Sequence, residues 1–67
     1  MTFKPGDKVR IERDAIGALD FNPAGIVVEI DYGGVTVDVG ELVGDGQVVP
    51  LHFRARVKES DLEALED

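Results

Sequence analysis

Cysteine is absent from this 67-residue chain, and histidine occurs once. Without thiols the chain cannot form the disulfides that stabilise many very small secreted domains. A zinc site needs several histidine or cysteine ligands, so the composition excludes one. We therefore expect a domain that folds on its hydrophobic core alone, in a reducing, cytoplasmic setting.

Long hydrophobic runs are also missing. No stretch approaches the length of a membrane-spanning helix, and the opening sequence MTFKPGD lacks the apolar segment of a signal peptide. We expect no membrane partner and no export. A chain of this length holds at most one domain, so we expect a single domain over residues 1–67.

Basic residues are scarce relative to acidic ones. Seven Lys and Arg residues stand against 14 Asp and Glu residues, which gives a formal net charge of −7. A negative surface repels phosphate backbones, so nucleic acid is a disfavoured partner. The hydrophobic content of 43% lies in the ordinary globular range and predicts a folded chain.

Apolar and polar residues alternate along four segments, which is the pattern of half-buried β-strands. Turn sequences rich in glycine separate these segments. The predicted strands, with their inward-facing residues, are 8–12 (Val9, Ile11), 26–30 (Ile26, Val28, Ile30), 35–39 (Val35, Val37, Val39) and 49–57 (Val49, Leu51, Phe53, Ala55, Val57).

Glycine and proline predict how the strands connect. DYGG at residues 31–34 and GDG at residues 44–46 indicate hairpins whose glycines adopt positive φ. Gly40 indicates a bulge, because the apolar positions change from odd to even numbers at Leu42. Pro50 indicates a bend or an edge strand, since proline cannot donate a backbone hydrogen bond.

Two segments do not alternate. Residues 13–24 contain Gly17, Asn22 and Pro23 and predict a long loop after the first strand. Ser60 to Glu63 has the spacing of a capping box, with Ser60 as the cap of a short 3-10 turn before a closing strand. The chain is therefore predicted to be all-β, a small five-stranded barrel that covers its own edges.

Three segments carry a family resemblance: FKPGDKVR at residues 3–10, GIVVEI at residues 25–30, and Phe53 with Asp61-Leu62 near the end. With these the chain resembles the SH3-like barrel superfamily. It is similar to the barrel of nitrile hydratase β subunits, the small peripheral subunit of photosystem I, and KOW and Tudor domains. The resemblance implies a fold and not a function, and the aromatic cage of methyl-lysine readers and the basic surface of KOW domains are missing. The small size, the lack of a catalytic constellation and the apolar loop lead us to expect an accessory role in a larger bacterial or phage assembly.

Catalytic and ligand-binding motifs are sparse. Ser60 and His52 are the only serine and histidine, and Ser60 is already assigned to the cap, so we expect no enzyme. No phosphate-binding loop or dinucleotide fingerprint occurs, and we expect no cofactor. Carboxylates flank the hairpins and could in principle bind calcium, but their spacing is not that of a calcium loop, so we expect them to be solvated surface acids. These carboxylates belong to Asp31, Asp38, Glu41 and Asp45.

The loop at residues 13–24 is the first candidate for a binding surface. Ile16, Leu19 and Phe21, flanked by His52, are predicted to form an apolar patch that docks on a larger protein. The alternative is that the same side chains plug the open end of the barrel. We therefore predict a non-catalytic protein-interaction or accessory module, with the loop as its partner-binding surface.

Arg54, Arg56 and Lys58 form a second candidate surface, since they share one face of the last long strand. They predict either local nucleic-acid binding or, with the acidic remainder, mimicry of DNA. Pairing with Glu29, Asp38 or the acidic tail is the simpler explanation of their charges. The nucleic-acid hypothesis is therefore the alternative to the protein-interaction hypothesis.

Overall fold

The structure, a computed structural model, describes residues 3–65. Within this range five strands, one short helix and one 3-10 turn occur. The sequence predicted the strands and the 3-10 turn, but not the helix. The elements are β1 (Lys8–Ile11), α1 (Arg13–Ile16), β2 (Pro23–Asp31), β3 (Gly34–Val43), β4 (Gln47–Val57), the 3-10 turn (Glu59–Asp61) and β5 (Leu62–Ala64).

The strands form one antiparallel sheet in the order β4-β3-β2-β1-β5, which leaves β4 and β5 at its edges. The arrangement is that of a small all-β domain and is compatible with a small barrel. Directly opposite residues of antiparallel strands have side chains on the same face. Val9, Gly25 and Val39 are aligned in this way across β1, β2 and β3.

The core lies on one face of the sheet and consists mainly of β-branched side chains, which pack well on a pleated surface. The inward positions predicted for β1 and β3 are confirmed, because all five residues are buried. Phe3, Ile16, Ile30, Ala55 and Leu62 pack against the core from its rim. The core residues are Val9, Ile11, Val27, Val35, Val37, Val39 and Val57.

The inward face predicted for the first half of β2 is wrong. Val27 is 2% exposed and belongs to the core, whereas Ile26 and Val28 are only half-buried. The register with β3 shifts between Val27 and Glu29, so Val28 is an extra residue in β2. A bulge of this kind reverses the parity of the strand, and Ile30 beyond it packs on the core as predicted.

Both predicted hairpins are present, but glycine acts differently in each. Gly44 and Gly46 have positive φ values of 52° and 93°, as expected. Gly33 and Gly34 do not, because the Asp31 carboxylate accepts the Gly33 N–H at 3.0 Å and closes the turn without a positive φ. Gly34 is needed for close packing instead, since a Cβ there would lie 2.8 Å from the Val57 carbonyl oxygen.

The bulge predicted at Gly40 is confirmed as a register shift, with its extra residues on the opposite strand. Val39 pairs with Phe53 and Gly40 pairs with Pro50, so Leu51 and His52 are inserted into β4. Pro50 therefore lies beside a bend and on an edge strand, the two settings expected for it. Gly40 also permits close packing, because a Cβ there would lie 2.6 Å from Cγ1 of Val48.

The loop predicted at residues 13–24 is shorter than expected. Arg13–Ile16 form α1, which ends at Gly17, and the last two residues of the predicted loop belong to β2. Arg13 bridges the remaining loop by donating from Nη2 to Oδ1 of Asn22 at 2.5 Å. Among the described residues, no helix is long and apolar enough to cross a membrane.

The cap predicted at Ser60 is wrong, because Ser60 lies inside the 3-10 turn. The Asp61 carboxylate closes the turn by accepting the Lys58 N–H at 3.1 Å, and the Asp61 N–H donates to the Lys58 carbonyl at 2.9 Å. The Glu12 N–H in turn donates to the Asp61 carbonyl, which connects the turn to the end of β1. Residues 66 and 67, the end of the predicted acidic tail, lie outside the described residues.

Replacing Asp61 by Ala should therefore destabilise the domain by about 1 kcal/mol, as loss of a capping side chain commonly does. Ser60→Ala should change the free energy of unfolding by only about 0.5 kcal/mol or less, because substitutions of exposed surface residues are usually close to neutral. Urea unfolding followed by circular dichroism measures both. Equal losses in the two variants would contradict the assignment of the cap to Asp61.

Candidate functional site

A groove with a volume of about 970 Å³ opens beside β4. This volume lies at the upper end of the range found for ligand-binding clefts, which are mostly apolar with a few polar groups. Its lining combines the two kinds of residue, with six apolar and five polar or charged side chains. The lining residues are Lys8, Ile26, Asp38, Val39, Gln47, Val48, Val49, Pro50, His52, Phe53 and Arg54.

Four of the lining residues form a row across the outer face of the sheet. Lys8 pairs with Ile26, Ile26 with Asp38, and Asp38 with Arg54. Because each residue lies directly opposite the next on a neighbouring strand, their side chains share one face. Side chains alternate between the two faces along β1, β3 and β4. The row therefore lies on the face opposite the buried core, where it forms one side of the groove.

The other side of the groove comes from the distal part of β4, which carries exposed apolar residues. Val49 is 45% exposed and Phe53 is 46% exposed, and Leu51 between them is 37% exposed. The sequence predicted these three side chains to face inward, and they are not buried. In the sheet this part of β4 adjoins only β3.

His52 lies at the bend of β4 with a φ of 64°, the only positive φ of a non-glycine residue among residues 3–65. Histidine tolerates the left-handed region better than β-branched residues do. The insertion of Leu51 and His52 turns the distal strand relative to the row across the sheet. This local conformation therefore shapes the groove and places the imidazole on its lining.

The groove contains an ion pair. The Arg54 Nε donates to Oδ1 of Asp38 across the strands at 2.7 Å, and the two side chains are 63% and 53% exposed. A pair this exposed contributes at most about 1 kcal/mol to stability. Its effect on the site is to hold the Arg54 guanidinium against Asp38 on the outer face of the sheet.

A second ion pair lies further along β4. Arg56 binds Asp31 through two hydrogen bonds, from Nη1 at 2.6 Å and from Nη2 at 2.5 Å. The Arg56 side chain, helped by the Gly33 N–H, holds the pKa of the Asp31 carboxyl below its ordinary value. The same hydrogen bonds raise the pKa of Arg56. Both arginines of the basic surface thus have acidic partners within the sheet.

We expect the Asp31 carboxyl to titrate below about 3.9, the ordinary value for aspartate. Because its pKa is lowered in the folded state, the stability from this contact is present above the unfolded pKa and is lost as the pH falls through the folded pKa. Carboxyl NMR titration measures the midpoint. Arg56→Gln should raise it and Arg54→Gln should not, so an unchanged midpoint in Arg56→Gln would contradict the assigned cause.

The four residues of the predicted loop patch have different environments in the structure. Ile16 packs against the core, as the plug explanation required, and Phe21 is half-buried. Leu19 is 83% exposed, as the docking explanation required. His52 is the one of the four that lines the groove. Ile16 thus fits the plug explanation, and Leu19 fits the docking explanation.

The other candidates are placed as follows. Ser60 and His52 line different depressions, so the structure does not bring them together. Asp31 and Asp38 are bound to arginines. Among residues 3–65, no group of three or more His, Asp or Glu side chains has an arrangement that could hold a metal ion.

Sequence reasoning missed the groove because it assigned Val49, Leu51 and Phe53 to the interior. The signal that was present is Pro50, which marks an edge and a bend in the strand where packing against a second layer ends. The outward row was also visible in part, since Lys8 and Arg54 were assigned to outer faces. The pairing of these residues across four strands depends on register, which alternation alone does not supply.

The chain matches no protein-family model, no curated protein and no solved structure.

Proposed function

We propose that this protein is a non-catalytic protein-binding module and that the groove beside β4 receives a segment of its partner. The observation that carries the proposal is the exposure of Val49 and Phe53 along a cleft with polar groups at its border. Apolar side chains that stay exposed in a groove commonly mark binding sites, because their burial on binding is favourable.

The chemistry of the groove supports a peptide segment as its occupant. Ile26, Val48 and Pro50 offer an apolar surface to an inserted side chain, and Arg54 offers donors to a carboxylate or carbonyl oxygen. Binding energy in such sites concentrates in a few apolar or aromatic anchors. Phe53, the single aromatic residue of the lining, is the anchor that we assign on this side of the interface.

The order of the elements also supports a specific type of small barrel. We assign the sheet to the SH3-like type, supported by the meander of four strands followed by a 3-10 turn and a short fifth strand. An accessory subunit of a larger assembly is the role that this type of domain and the binding groove favour together. We thus propose that the binding surface lies at β4 and not at the loop patch. Of the loop-patch residues, His52 is the one that lines the groove.

Selection of peptides from a random display library against the protein tests the proposal. Enriched peptides should bind the wild-type protein and lose about tenfold or more in affinity, roughly 1.4 kcal/mol, on Phe53→Ala. Leu19→Ala is the matched control, because it also removes an exposed apolar side chain but lies outside the groove. Its affinity should be unchanged.

Two results would overturn the proposal. Loss of binding on Leu19→Ala with none on Phe53→Ala would return the binding surface to the loop patch. Failure to enrich any peptide that distinguishes wild type from Phe53→Ala would remove the groove as a peptide site. Circular dichroism of each variant confirms that the fold is retained in the comparison.

A further inference from the structure

The edge of the sheet at β4 is long compared with the opposite edge. β4 has 11 residues, whereas β5 has 3. An edge strand presents backbone N–H and C=O groups that can pair with another strand. α1 approaches β4, but in the part of the chain that the structure describes no backbone hydrogen bond joins them.

The half of β4 after the bend is regular. Residues 53–57 pair one by one with residues 39–35 of β3, without a shift. Phe53, Ala55 and Val57 share the face of the core, and Arg54 and Arg56 share the outer face. A strand added at this edge would therefore meet apolar side chains on one face and arginines on the other.

The two arginines retain donors for an added strand. A guanidinium carries five N–H donors. Arg54 binds Asp38 through Nε alone, and Arg56 binds Asp31 through one hydrogen bond from each of its Nη atoms. Acidic side chains at alternate positions of the added strand would lie beside these guanidinium groups, where pairs of opposite charge are stabilising.

A second copy of this chain does not fit the same edge. In an antiparallel pair of two copies of residues 53–57, every register that aligns at least three residues and keeps the apolar faces together places an arginine opposite an arginine. Like charges directly opposite each other destabilise a sheet. The arginines thus disfavour self-pairing, which is a common protection of edge strands, while leaving the edge open to a strand of the opposite charge.

We propose that residues 53–57 of β4 accept an extended partner segment with alternating apolar and acidic residues as an added strand. The inference rests on the proposed protein-binding function and names the chemistry of the partner at the same site, since Phe53 and Arg54 belong to both the groove and this edge. The net charge of −7 opposes an acidic partner at long range. Salt screens that repulsion beyond about 8 Å under physiological conditions, whereas the arginine contacts are direct.

Two short synthetic peptides test the inference, one alternating Val with Glu and one alternating Val with Lys. Fluorescence anisotropy with the wild-type protein should give an affinity about tenfold or more higher for the Val/Glu peptide. Replacing both Arg54 and Arg56 by Gln should abolish the difference. This variant also loses two ion pairs, so an Asp31→Asn, Asp38→Asn variant, which loses the same pairs, is the control. The control should keep the higher affinity for the Val/Glu peptide, and amide NMR spectra of both variants show whether the fold is retained.

Methylation of alternate backbone amides in the Val/Glu peptide distinguishes strand addition from insertion of side chains alone. It removes backbone donors, so methylation at the donating positions should reduce affinity at least tenfold if a strand is added. Equal binding of methylated and unmethylated peptides would overturn strand addition and leave the groove as a side-chain site.

The remaining outcomes are also decisive. Equal or stronger binding of the Val/Lys peptide would overturn the charge pattern. Absence of binding by either peptide, with library-selected peptides still bound in the groove, would overturn this inference while the proposed function stands. A stable dimer of the free protein through β4, seen by sedimentation and abolished by Phe53→Asp, would assign the edge to a second copy and contradict the inference.

Discussion

Replacing Val27 by Asp should unfold the protein. Val27 is 2% exposed in the centre of the core, where an Asp carboxyl would find no polar partner among the core side chains. Burying such a group costs several kcal/mol, whether it is ionised or protonated. A chain of this length has a total stability of about 3 to 10 kcal/mol. Circular dichroism should show the loss of the cooperative thermal transition.

Val28→Asp is the matched control, because it makes the same chemical change one residue away. Val28 is the extra residue of the bulge in β2 and is half-buried, so its carboxylate can reach water. The variant should keep a cooperative transition at a moderately lower temperature. The opposite order, with Val28→Asp unfolded and Val27→Asp folded, would show that β2 has the parity expected from simple alternation.

Replacing Gly25 by Ala should have the second largest effect. A Cβ at this position would overlap the backbone carbonyl oxygen of Asp38 and lie 2.6 Å from Cγ1 of Val37. Both neighbours are fixed, one by the β2–β3 pairing and the other by burial in the core. Overpacking of a tight interior commonly costs about 1 to 3 kcal/mol, and the involvement of backbone places this variant at the upper end. Urea unfolding measures the loss.

Gly33→Ala is the control for this prediction. Its Cβ would meet only the Nη2 end of the Arg56 side chain, at 3.0 Å, and that side chain can move. The stability of Gly33→Ala should therefore stay within about 1 kcal/mol of the wild type, as for other surface substitutions. If Gly25→Ala were equally mild, β2 and β3 would not approach each other as closely as the structure indicates.

The sequence predicted the strands well where alternation was uninterrupted. The inward faces of β1 and β3, the closing 3-10 turn and the hairpin at Gly44 all follow from period, turn residues and β-branched valines. These features are local, so the residues that encode them are neighbours along the chain.

Two bulges account for most of the differences. The extra Val28 changes which alternate residues of β2 face the core. Because Ile26, Val27 and Val28 are all aliphatic, the sequence does not show which of them is buried. The insertion of Leu51 and His52 shifts the register between β4 and β3. Both are defined by pairing with β3, a contact between strands that no single segment reveals. The cap is a different, local case, because the carboxylate that closes the turn belongs to Asp61 and Ser60 lies inside the turn.

The candidate site was predictable only in part. Charged residues on the outer faces and the bend at Pro50 were visible in the sequence, and His52 was predicted to be a binding residue beside the loop patch. The groove itself arises because Ile26, Asp38 and Arg54 are brought side by side by the registers of three strands. Phe53, which is 46% exposed, lies on an edge strand, and the position of a strand in the sheet is a property of the whole fold.

Mapping of a library-selected peptide by amide NMR tests the central claim, that the groove beside β4 is the binding site. We expect the chemical-shift changes to cluster at residues 47–54 and at Ile26 and Asp38, with those of residues 13–21 unaffected. The shifts should saturate together as the peptide is added, since one site is filled. Changes concentrated at Ile16, Leu19 and Phe21, with residues 47–54 unchanged, would contradict the account and place the partner on the loop.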